Sequence, residues 1–243
     1  MNSIKLDAIP STNDYLKELS RKESLKNFTI VTTSNQTNGK GQMGSQWKSE
    51  TGKNLTMSIL IKETLFNKNQ IFYLNAAVAL TILEVLQEYD ILKLAIKWPN
   101  DIMSDTKKIG GILIENSFKT DNTIESIVGI GLNVNQLDFE NLPKASSMAI
   151  IMNKEFSVDE IILKLHNQLL LNCKNLNGDT TDLIWQKYHS NLFKKGIPMP
   201  FQTEDGSKFM GIIQGVSLDG KLELLLEDDT IKKFGIKEIV MLY

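Results

Sequence analysis

A polar, glycine-rich segment between two strand-like runs constrains the fold of this 243-residue chain most strongly. Residues 28–33 (FTIVTT) and 54–61 (NLTMSILI) are rich in β-branched and other apolar side chains, which predicts two strands. Residues 34–54 follow neither the helical nor the strand period. Long connections without secondary structure are uncommon inside compact domains, and they are usually functional. The sequence therefore predicts a functional loop that joins one strand to another.

The loop contains a match to the G-x-G-x-x-G pattern of dinucleotide-binding sites, from Gly39 to Gly44. That site needs a helix that begins inside the loop, with the pyrophosphate at its N-terminus. Residues 45–54 contain one large apolar residue and lead into a strand, so a Rossmann site is disfavoured, and no Gly-Lys-Ser/Thr sequence forms a P-loop. Two interpretations remain: an ordinary surface loop, or a mobile loop whose backbone N–H groups and Lys40 close on an anion. Trp47 favours the second, because a tryptophan in a polar loop tends to cover the core or a ligand.

The remaining pattern predicts an α+β fold in which helices accompany strands joined mainly by hairpins. The clearest helix covers residues 70–89, where apolar side chains recur at three- and four-residue spacing. Three further helices are predicted at residues 11–19, 157–173 and 181–192. Three further strands are predicted at residues 94–98, 109–115 and 124–134. After Gly196, short apolar runs alternate with turn residues such as Asp219-Gly220, which predicts a small β-barrel-like module. We therefore expect a main domain over residues 1–195 and a second domain over 196–243.

Composition excludes several classes of protein. The chain is 42% hydrophobic, which excludes intrinsic disorder, and its 27 basic and 29 acidic residues argue against a nucleic-acid-binding surface. The single cysteine, Cys173, excludes a disulfide framework, and neither His166 nor His189 has a second ligand at metal spacing. The N-terminus does not read as a signal peptide, and no apolar run of about 18 residues could span a bilayer. We expect a cytoplasmic protein that binds neither DNA nor membranes.

Two lysine-bearing elements are candidates for chemistry. Residues 97–101 (KWPND) follow a strand with a charge, an aromatic ring, a proline and two polar groups, and residues 107–113 (KKIGGIL) place lysines at the start of another strand. Strand ends hold functional groups on a rigid scaffold. Taken singly, Lys97 and Lys108 could be solvated charges, and Asp101 could begin a turn. Together with the glycine loop, they favour a site that binds a carboxylate and a polyphosphate side by side.

A third element, residues 128–135 (VGIGLNVN), alternates glycine with apolar residues and leaves Asn133 as a polar group on a core strand. Asn133 could simply satisfy buried backbone groups. In this order, however, the elements resemble those of biotin protein ligases, from about residue 7 through the C-terminal module. The matching motifs are Ser11-Thr12-Asn13, Gln36 with residues 39–47 (GKGQMGSQW), residues 97–101 (KWPND), residues 108–113 (KIGGIL) and residues 129–133 (GIGLN). The second lysine element and KWPND are specific at this separation, whereas the S-T-N triplet alone is weak.

The resemblance implies a catalytic domain like that of class II aminoacyl-tRNA synthetases, followed by an SH3-like barrel. It implies that biotin and ATP, with Mg²⁺, give biotinyl-5′-AMP and pyrophosphate. The ε-amine of a lysine on a biotin carboxyl carrier protein then attacks the acyl-adenylate and releases AMP. Relatives can also form homodimers through edge strands, but no segment of the sequence identifies such an edge.

The resemblance also assigns roles to the matching residues. Biotin contacts are expected from Ser11, Thr12, Asn13, Gln36, Lys40, Gly41, Gln42, Lys108 and Gly111. Contacts with ATP and the adenylate are expected from Gln42, Trp47, Asn100, Asp101, Lys108, Gly131 and Asn133. Trp47 should pack beside the adenine, and Asn133 should read that base. Catalysis is expected from Lys40, Lys97, Asp101 and Lys108, with Asp101 orienting or deprotonating the acceptor lysine.

The sequence departs from the family pattern in its loop. Family members usually carry G-R-G-R-x-G-R, whereas this chain has Lys40, Gln42 and Ser45 at the three arginine positions. Because these side chains cannot make bidentate contacts with phosphate, we expect weaker retention of the adenylate. The triplet at residues 11–13 lies so early in the sequence that no N-terminal helix-turn-helix domain is expected.

Two alternatives remain open beside the biotin ligase. A lipoate ligase or octanoyltransferase has a related fold, but residues 98–101 (WPND) and the C-terminal module favour biotin. A non-catalytic interaction protein built around the C-terminal module would leave both lysine elements unexplained.

Overall fold

The computed structural model of the chain describes residues 2–62, 72–119, 123–140, 142–173, 176 and 179–243. These residues form a seven-stranded mixed sheet and a five-stranded antiparallel sheet, with helices packed against the larger sheet. The predicted α+β fold is therefore confirmed. Within the described ranges, no helix combines the length and apolar character needed to cross a bilayer.

The larger sheet has the strand order β1-β2-β3-β7-β6-β5-β4, and only the β1–β2 pair among these neighbours is parallel. Its strands are β1 (Ser3–Ile9), β2 (Ile30–Gln36), β3 (Leu55–Lys62), β4 (Leu94–Lys97), β5 (Asp101–Ser104), β6 (Lys107–Phe118) and β7 (Ile124–Leu132). The helices are α1 (Thr12–Lys22), α2 (Phe72–Gln87), α3 (Met148–Met152), α4 (Val158–Cys173) and α5 (Asp179–Ser190).

Strand alternation sends apolar side chains to both faces of this sheet. Ile30 and Ile59 belong to the main core with the apolar residues of α2, which explains why that helix is buried almost all round. Val31 and Leu60, one position further along their strands, pack with Leu16 of α1 in a second cluster. The two faces of the sheet are thus covered, one by α2 and the other by α1.

The smaller sheet has the strand order β11-β10-β9-β8-β12. Its strands are β8 (Pro198–Thr203), β9 (Lys208–Val216), β10 (Leu222–Leu226), β11 (Ile231–Phe234) and β12 (Ile239–Met241). The predicted hairpin at Asp219-Gly220 joins β9 to β10, and Gly220 has a φ of 84°, which favours glycine. The carbonyl of Gly220 accepts a hydrogen bond of 2.8 Å from the indole N–H of Trp98, so this hairpin is attached to the end of β4.

The main differences from the predicted elements are three that the sequence did not reveal: β1, β5 and α3. Asp101 does not begin a turn but is the first residue of β5, paired with Lys97 and Gly111 on its two neighbours. Strand β1 has few buried side chains and depends on backbone pairing with β2, which leaves little hydrophobic pattern to detect. The helix predicted at 70–89 is observed as Phe72–Gln87, and residues 70–71 lie outside the described ranges.

Candidate active site

A cavity of about 310 Å³ opens between the start of α1, the loop after β2, strands β6 and β7, and one turn of the smaller sheet. It collects most of the residues that the sequence pointed to. The predicted residues that line it are Ser11, Thr12, Asn13, Gln36, Lys40, Gly41, Gln42, Trp47, Asn100, Asp101, Lys108, Gly111 and Gly131. Two predicted residues, Lys97 and Asn133, are not among its lining residues.

The inner end of the cavity is a buried hydrogen-bond network at the start of α1. Gln36 Oε1 accepts hydrogen bonds from the backbone N–H of Thr12 at 2.8 Å and from its hydroxyl at 3.1 Å. The Ser58 hydroxyl, fully buried on β3, lies 2.6 Å from Asn13 Oδ1 and 2.7 Å from Thr12 Oγ1. Such a network fixes the donors and acceptors that a polar ring would meet.

Glu115 orients this network from β6. The Asn13 amide donates to Glu115 Oε2 at 3.0 Å, and Lys17 donates to Oε1 at 2.8 Å. Burial opposes ionisation of Glu115, but the hydrogen bonds from Lys17 and Asn13 outweigh it and lower the pKa of this carboxyl group. Sequence reasoning missed both Ser58 and Glu115, because neither belongs to a motif and their partner Asn13 lies 45 and 102 positions away in the sequence.

The loop between β2 and β3, residues 37–54, is called the flap below. Its tip is a small hairpin in which Gly41 N–H donates to the Ser45 carbonyl at 2.7 Å, around a 3₁₀ turn at Gln42–Gly44. Met43 in this turn is left-handed, with φ 53°. No α-helix begins in the flap, which agrees with the exclusion of a Rossmann site.

The flap is attached to α1 by an ion pair between Lys40 Nζ and the Asp14 carboxylate at 2.7 Å. Asp14 accepts a hydrogen bond from Lys40 and thereby raises the pKa of this lysine. Both side chains are nearly half exposed, so the pair is screened by solvent. Lys40 is therefore held over the cavity in its charged form.

Trp47 explains why position 131 on β7 is a glycine. Gly111 and Gly131 are cross-strand partners, and the indole of Trp47 lies over both. A Cβ atom at Gly131 would lie 2.5 Å from Trp47 Cε2, whereas one at Gly111 would keep 3.5 Å from Cζ3. Lys108 Nζ lies 5.8 Å from the centre of the indole, within cation–π range. The flap thus places an aromatic wall where side chains on β7 are excluded.

Asp101 joins the two lysine elements. Its Oδ1 lies 2.5 Å from Lys108 Nζ and its Oδ2 lies 3.3 Å from Lys97 Nζ. The Asp101 side chain is 16% exposed, so this chain of three charges is largely removed from solvent. Of the three predicted lysines, Lys40 and Lys108 thus line one cavity, and Lys97 is connected to it only through Asp101.

Asn100 and Asn133 are held by backbone groups. Asn100 Nδ2 donates to the Ile112 carbonyl at 2.6 Å, which ties the residue to β6 at the cavity wall. Asn133 is buried after β7, and its Nδ2 donates to the Ser146 carbonyl at 2.9 Å.

Within the described ranges, no three His, Cys, Asp or Glu residues lie close enough together to hold a metal ion. Cys173 is buried in the core, where burial raises the pKa of its thiol to about 12. His189 is half-buried and faces β9 rather than the cavity, since its Nε2 accepts from Val216 N–H at 2.9 Å.

A turn of the smaller sheet forms the last part of the cavity wall. The sequence did not predict this contribution. Ile236 and Lys237, between β11 and β12, are lining residues, and Lys237 Nζ donates to the Met43 carbonyl at 2.9 Å. No local pattern could have indicated this contact, because it joins residues 194 positions apart.

The site combines a flap, a polar pocket and two lysines paired with one carboxylate. Together, these features indicate the class of protein. The chain belongs to the Biotin/lipoate A/B protein ligase family, which matches residues 6–135. Across its length it is similar to biotin ligases in particular. It is 30% identical over 241 residues to the Bifunctional ligase/repressor BirA of Bacillus subtilis, covering 96% of this chain and 72% of the relative.

Solved structures give the same result. A biotin protein ligase from Aquifex aeolicus in complex with biotin and ATP superimposes with a TM-score of 0.81 at 28% identity, covering 99% of this chain and 98% of that one. A mutant of the Aquifex aeolicus ligase in complex with biotin gives a TM-score of 0.80 at 27% identity, covering 100% of this chain and 98% of that one.

Proposed function

We propose that the protein is a biotin protein ligase that uses ATP to activate biotin as biotinyl-5′-AMP and transfers the biotinyl group to a lysine of a biotin carboxyl carrier protein. The observation that carries the proposal is one cavity that combines a buried polar network, a flap and the Lys97–Asp101–Lys108 chain. The similarity to biotin ligases over nearly the whole chain supports biotin as the acid that is activated.

In the first step, a biotin carboxylate oxygen attacks the α-phosphorus of ATP, and pyrophosphate leaves. Two anions must approach each other, so the barrier is largely electrostatic, and fixed cations lower it. Lys108 is proposed to contact the carboxylate and the phosphoryl oxygens, with Lys40 above them on the flap. Asp101 holds Lys108 in place, and Lys97 balances the charge of Asp101.

The ring systems of the two substrates are proposed to occupy opposite ends of the cavity. Ser11, Thr12, Asn13 and Gln36 supply the donors and acceptors that suit the ureido ring of biotin. Gly41, Gln42 and Gly111 line the path between the two ends. Trp47 and Gly131 form the wall for the adenine, and Asn133 offers its amide oxygen to that base.

Mg²⁺ fits this donor set as an ion that arrives with the nucleotide. Mg²⁺ commonly binds through one or two carboxylates together with substrate phosphates, and Asp101 is the one carboxylate among the described lining residues. Asp101, beside Asn100, would hold the ion, which when bound supplies charge neutralisation for the phosphates.

In the second step, the neutral ε-amine of the acceptor lysine attacks the acyl carbon of the mixed anhydride. An amide bond forms, the acyl–oxygen bond breaks, and AMP leaves. Asp101 is proposed to orient or deprotonate the incoming lysine. The closed flap limits access of water, which would otherwise hydrolyse the anhydride.

We also propose the domain organisation that accompanies this function. Residues 1–195 would form a domain like those of class II aminoacyl-tRNA synthetases, and residues 196–243 an SH3-like barrel built on β8–β12. A homodimer that pairs edge strands of the larger sheet would use β1, because the outer edge of β4 already pairs with residues 191–193. The net charge of −2 supports a protein without a DNA-binding surface.

Pyrophosphate exchange into ATP, measured with biotin, with lipoate and with neither acid, tests the function. Exchange that depends on biotin is expected. Exchange with lipoate alone would favour a lipoate ligase, and no exchange under any of the three conditions would favour a non-catalytic protein.

The Lys108→Ala variant tests the site. Loss of this cation should reduce biotin-dependent exchange by about 10²- to 10³-fold, the range found when one transition-state contact is removed. Lys107→Ala is the matched control, because Lys107 is the exposed neighbour and does not line the cavity. An unchanged melting temperature with near-normal exchange in Lys108→Ala would remove Lys108 from its proposed role.

A further inference from the structure

Two lysine contacts hold the flap, in addition to the backbone hydrogen bonds near its two ends. At its base, Lys40 pairs with Asp14 of α1. At its tip, the Met43 carbonyl accepts a hydrogen bond from Lys237 Nζ, which comes from the smaller sheet. The second contact joins the β8–β12 sheet to the segment that covers the cavity.

The turn that presents Lys237 is itself well defined. It lies between β11 and β12, and the Glu238 carboxylate closes it by accepting a hydrogen bond of 2.8 Å from Gly235 N–H. Lys237 has a left-handed backbone, with φ 73°. Ile236, beside it, and Met43 are both exposed apolar side chains that line the same cavity. The turn and the flap tip therefore face the same cavity, and the hydrogen bond from Lys237 to Met43 joins them.

The charge of Lys237 differs from that of the other cavity lysines. Lys40 is paired with Asp14 and Lys108 with Asp101, whereas no carboxylate forms an ion pair with Lys237 within the described part of the chain. Its ammonium group is committed only to a neutral carbonyl oxygen. A hydrogen bond with one charged partner is stronger than one between neutral groups.

The smaller sheet is attached to the rest of the protein, which keeps Lys237 close to the flap. Its β9–β10 hairpin is attached to Trp98 through the Gly220 carbonyl, and β9 is attached to α5 through His189 and Val216. Because both anchors lie on well-packed elements, the position of the turn is fixed relative to the cavity.

We propose that Lys237 is a positioning residue that pins the flap tip closed and so slows release of the acyl-adenylate. This inference rests on the proposed function, because it concerns the intermediate of that reaction. With uncharged Gln42 and Ser45 in the flap, the cation that holds the tip comes from the other sheet. The residue acts on the flap and not on the reacting atoms.

The test measures release of preformed, labelled biotinyl-5′-AMP from the full chain during a chase with unlabelled adenylate. Lys237→Met keeps most of the side chain and removes the ammonium, and it should release the adenylate about five- to tenfold faster, as expected for loss of an exposed charged hydrogen bond. The rate of adenylate formation should change by less than about twofold, because the reacting groups are untouched. Lys237→Arg should restore slow release.

Lys208→Met is the matched control, since it removes the same charge from an exposed position of the same sheet, outside the cavity. The proposal is overturned if Lys237→Met releases the adenylate no faster than the wild type. It is also overturned if Lys208→Met matches Lys237→Met, or if Lys237→Arg remains fast.

Amide hydrogen exchange in the ligand-free protein separates this inference from the proposed function. Lys237→Met should increase exchange at Gly41 and Ser45, whose amides close the flap hairpin, with an unchanged melting temperature. Unchanged exchange at both amides would contradict the pinning contact. If the wild type formed no adenylate from biotin and ATP, the proposed function would fail, and this measurement would still decide the role of Lys237.

Discussion

Gly131→Ala tests whether the position of Trp47 against the sheet controls the activity of the site. The added Cβ would lie 2.5 Å from Trp47 Cε2, and ordinary contacts between carbon atoms are about 3.5–4.0 Å. The indole must therefore retreat by about 1 Å or more. Neither Gly131 nor its partner Gly111 has a positive φ, so alanine can adopt the backbone at both positions without strain.

Overpacking of this kind costs about 1–3 kcal/mol, which corresponds to roughly a 5- to 150-fold loss when the strain falls on the substrate complex. We expect that loss in kcat/KM for ATP, measured by biotin-dependent pyrophosphate exchange. The folded protein can relieve the strain by moving the flap, so its melting temperature should change little. Gly111→Ala should lose less than Gly131→Ala, because its Cβ would keep 3.5 Å from the same ring and only narrows the cavity.

A double-mutant cycle identifies the clash as the cause. In a Trp47→Ala background, the indole is gone, so Gly131→Ala should have little further effect on exchange. The reasoning is refuted if Gly131→Ala retains wild-type kcat/KM, or if Gly111→Ala loses as much as Gly131→Ala. An equal loss from Gly131→Ala with and without Trp47 would refute it as well.

Two further predictions concern retention of the intermediate and the pH dependence of stability. With Lys40, Gln42 and Ser45 in the flap, biotinyl-5′-AMP should escape and label bystander lysines more than it does from a relative with arginines there; equal labelling would contradict this. Burial lowers the pKa of His189, whose neutral Nε2 accepts from Val216 N–H, so its stabilising contribution is present above about pH 6.5 and is lost as the pH falls through the native pKa. Unfolding free energies below about pH 6.5 should therefore fall more steeply for the wild type than for His189→Gln, and parallel profiles would exclude this role.

The sequence revealed the elements whose signals are local. Helix α2 is apolar with a helical period, and the Asp219-Gly220 turn lies between two apolar runs, so both were predicted correctly. Strand β5 was missed, because its four residues follow Pro99 and begin with a charged side chain. Its pairing with β4 and β6 is a tertiary feature, and that pairing is what brings Asp101 between Lys97 and Lys108.

The glycines of β7 show how far a local sequence pattern can predict a tertiary contact. Alternating glycines at 129 and 131 indicate that other groups lie close to that face of the strand. In the structure, Asn13 lies against Gly129 and Trp47 lies against Gly131. The sequence also contains Trp47 in a polar loop, which indicates an aromatic ring that packs against another surface. Nothing local connects the two observations, because the contact requires β7 to pair with β3 and the flap to fold back over both.

The lysine contacts that hold the flap show the same limit of local sequence patterns. Lys40 and Asp14 both lie near motifs that the sequence singles out, so their proximity follows once α1 and the flap are recognised as parts of one site. Lys237 lies in a turn without a motif, and it reaches Met43 only because Trp98 attaches the second sheet to the first. A residue of this kind is placed by domain packing alone. Variation in the docking of the smaller sheet should therefore change how firmly the flap is held without altering any of the motif residues.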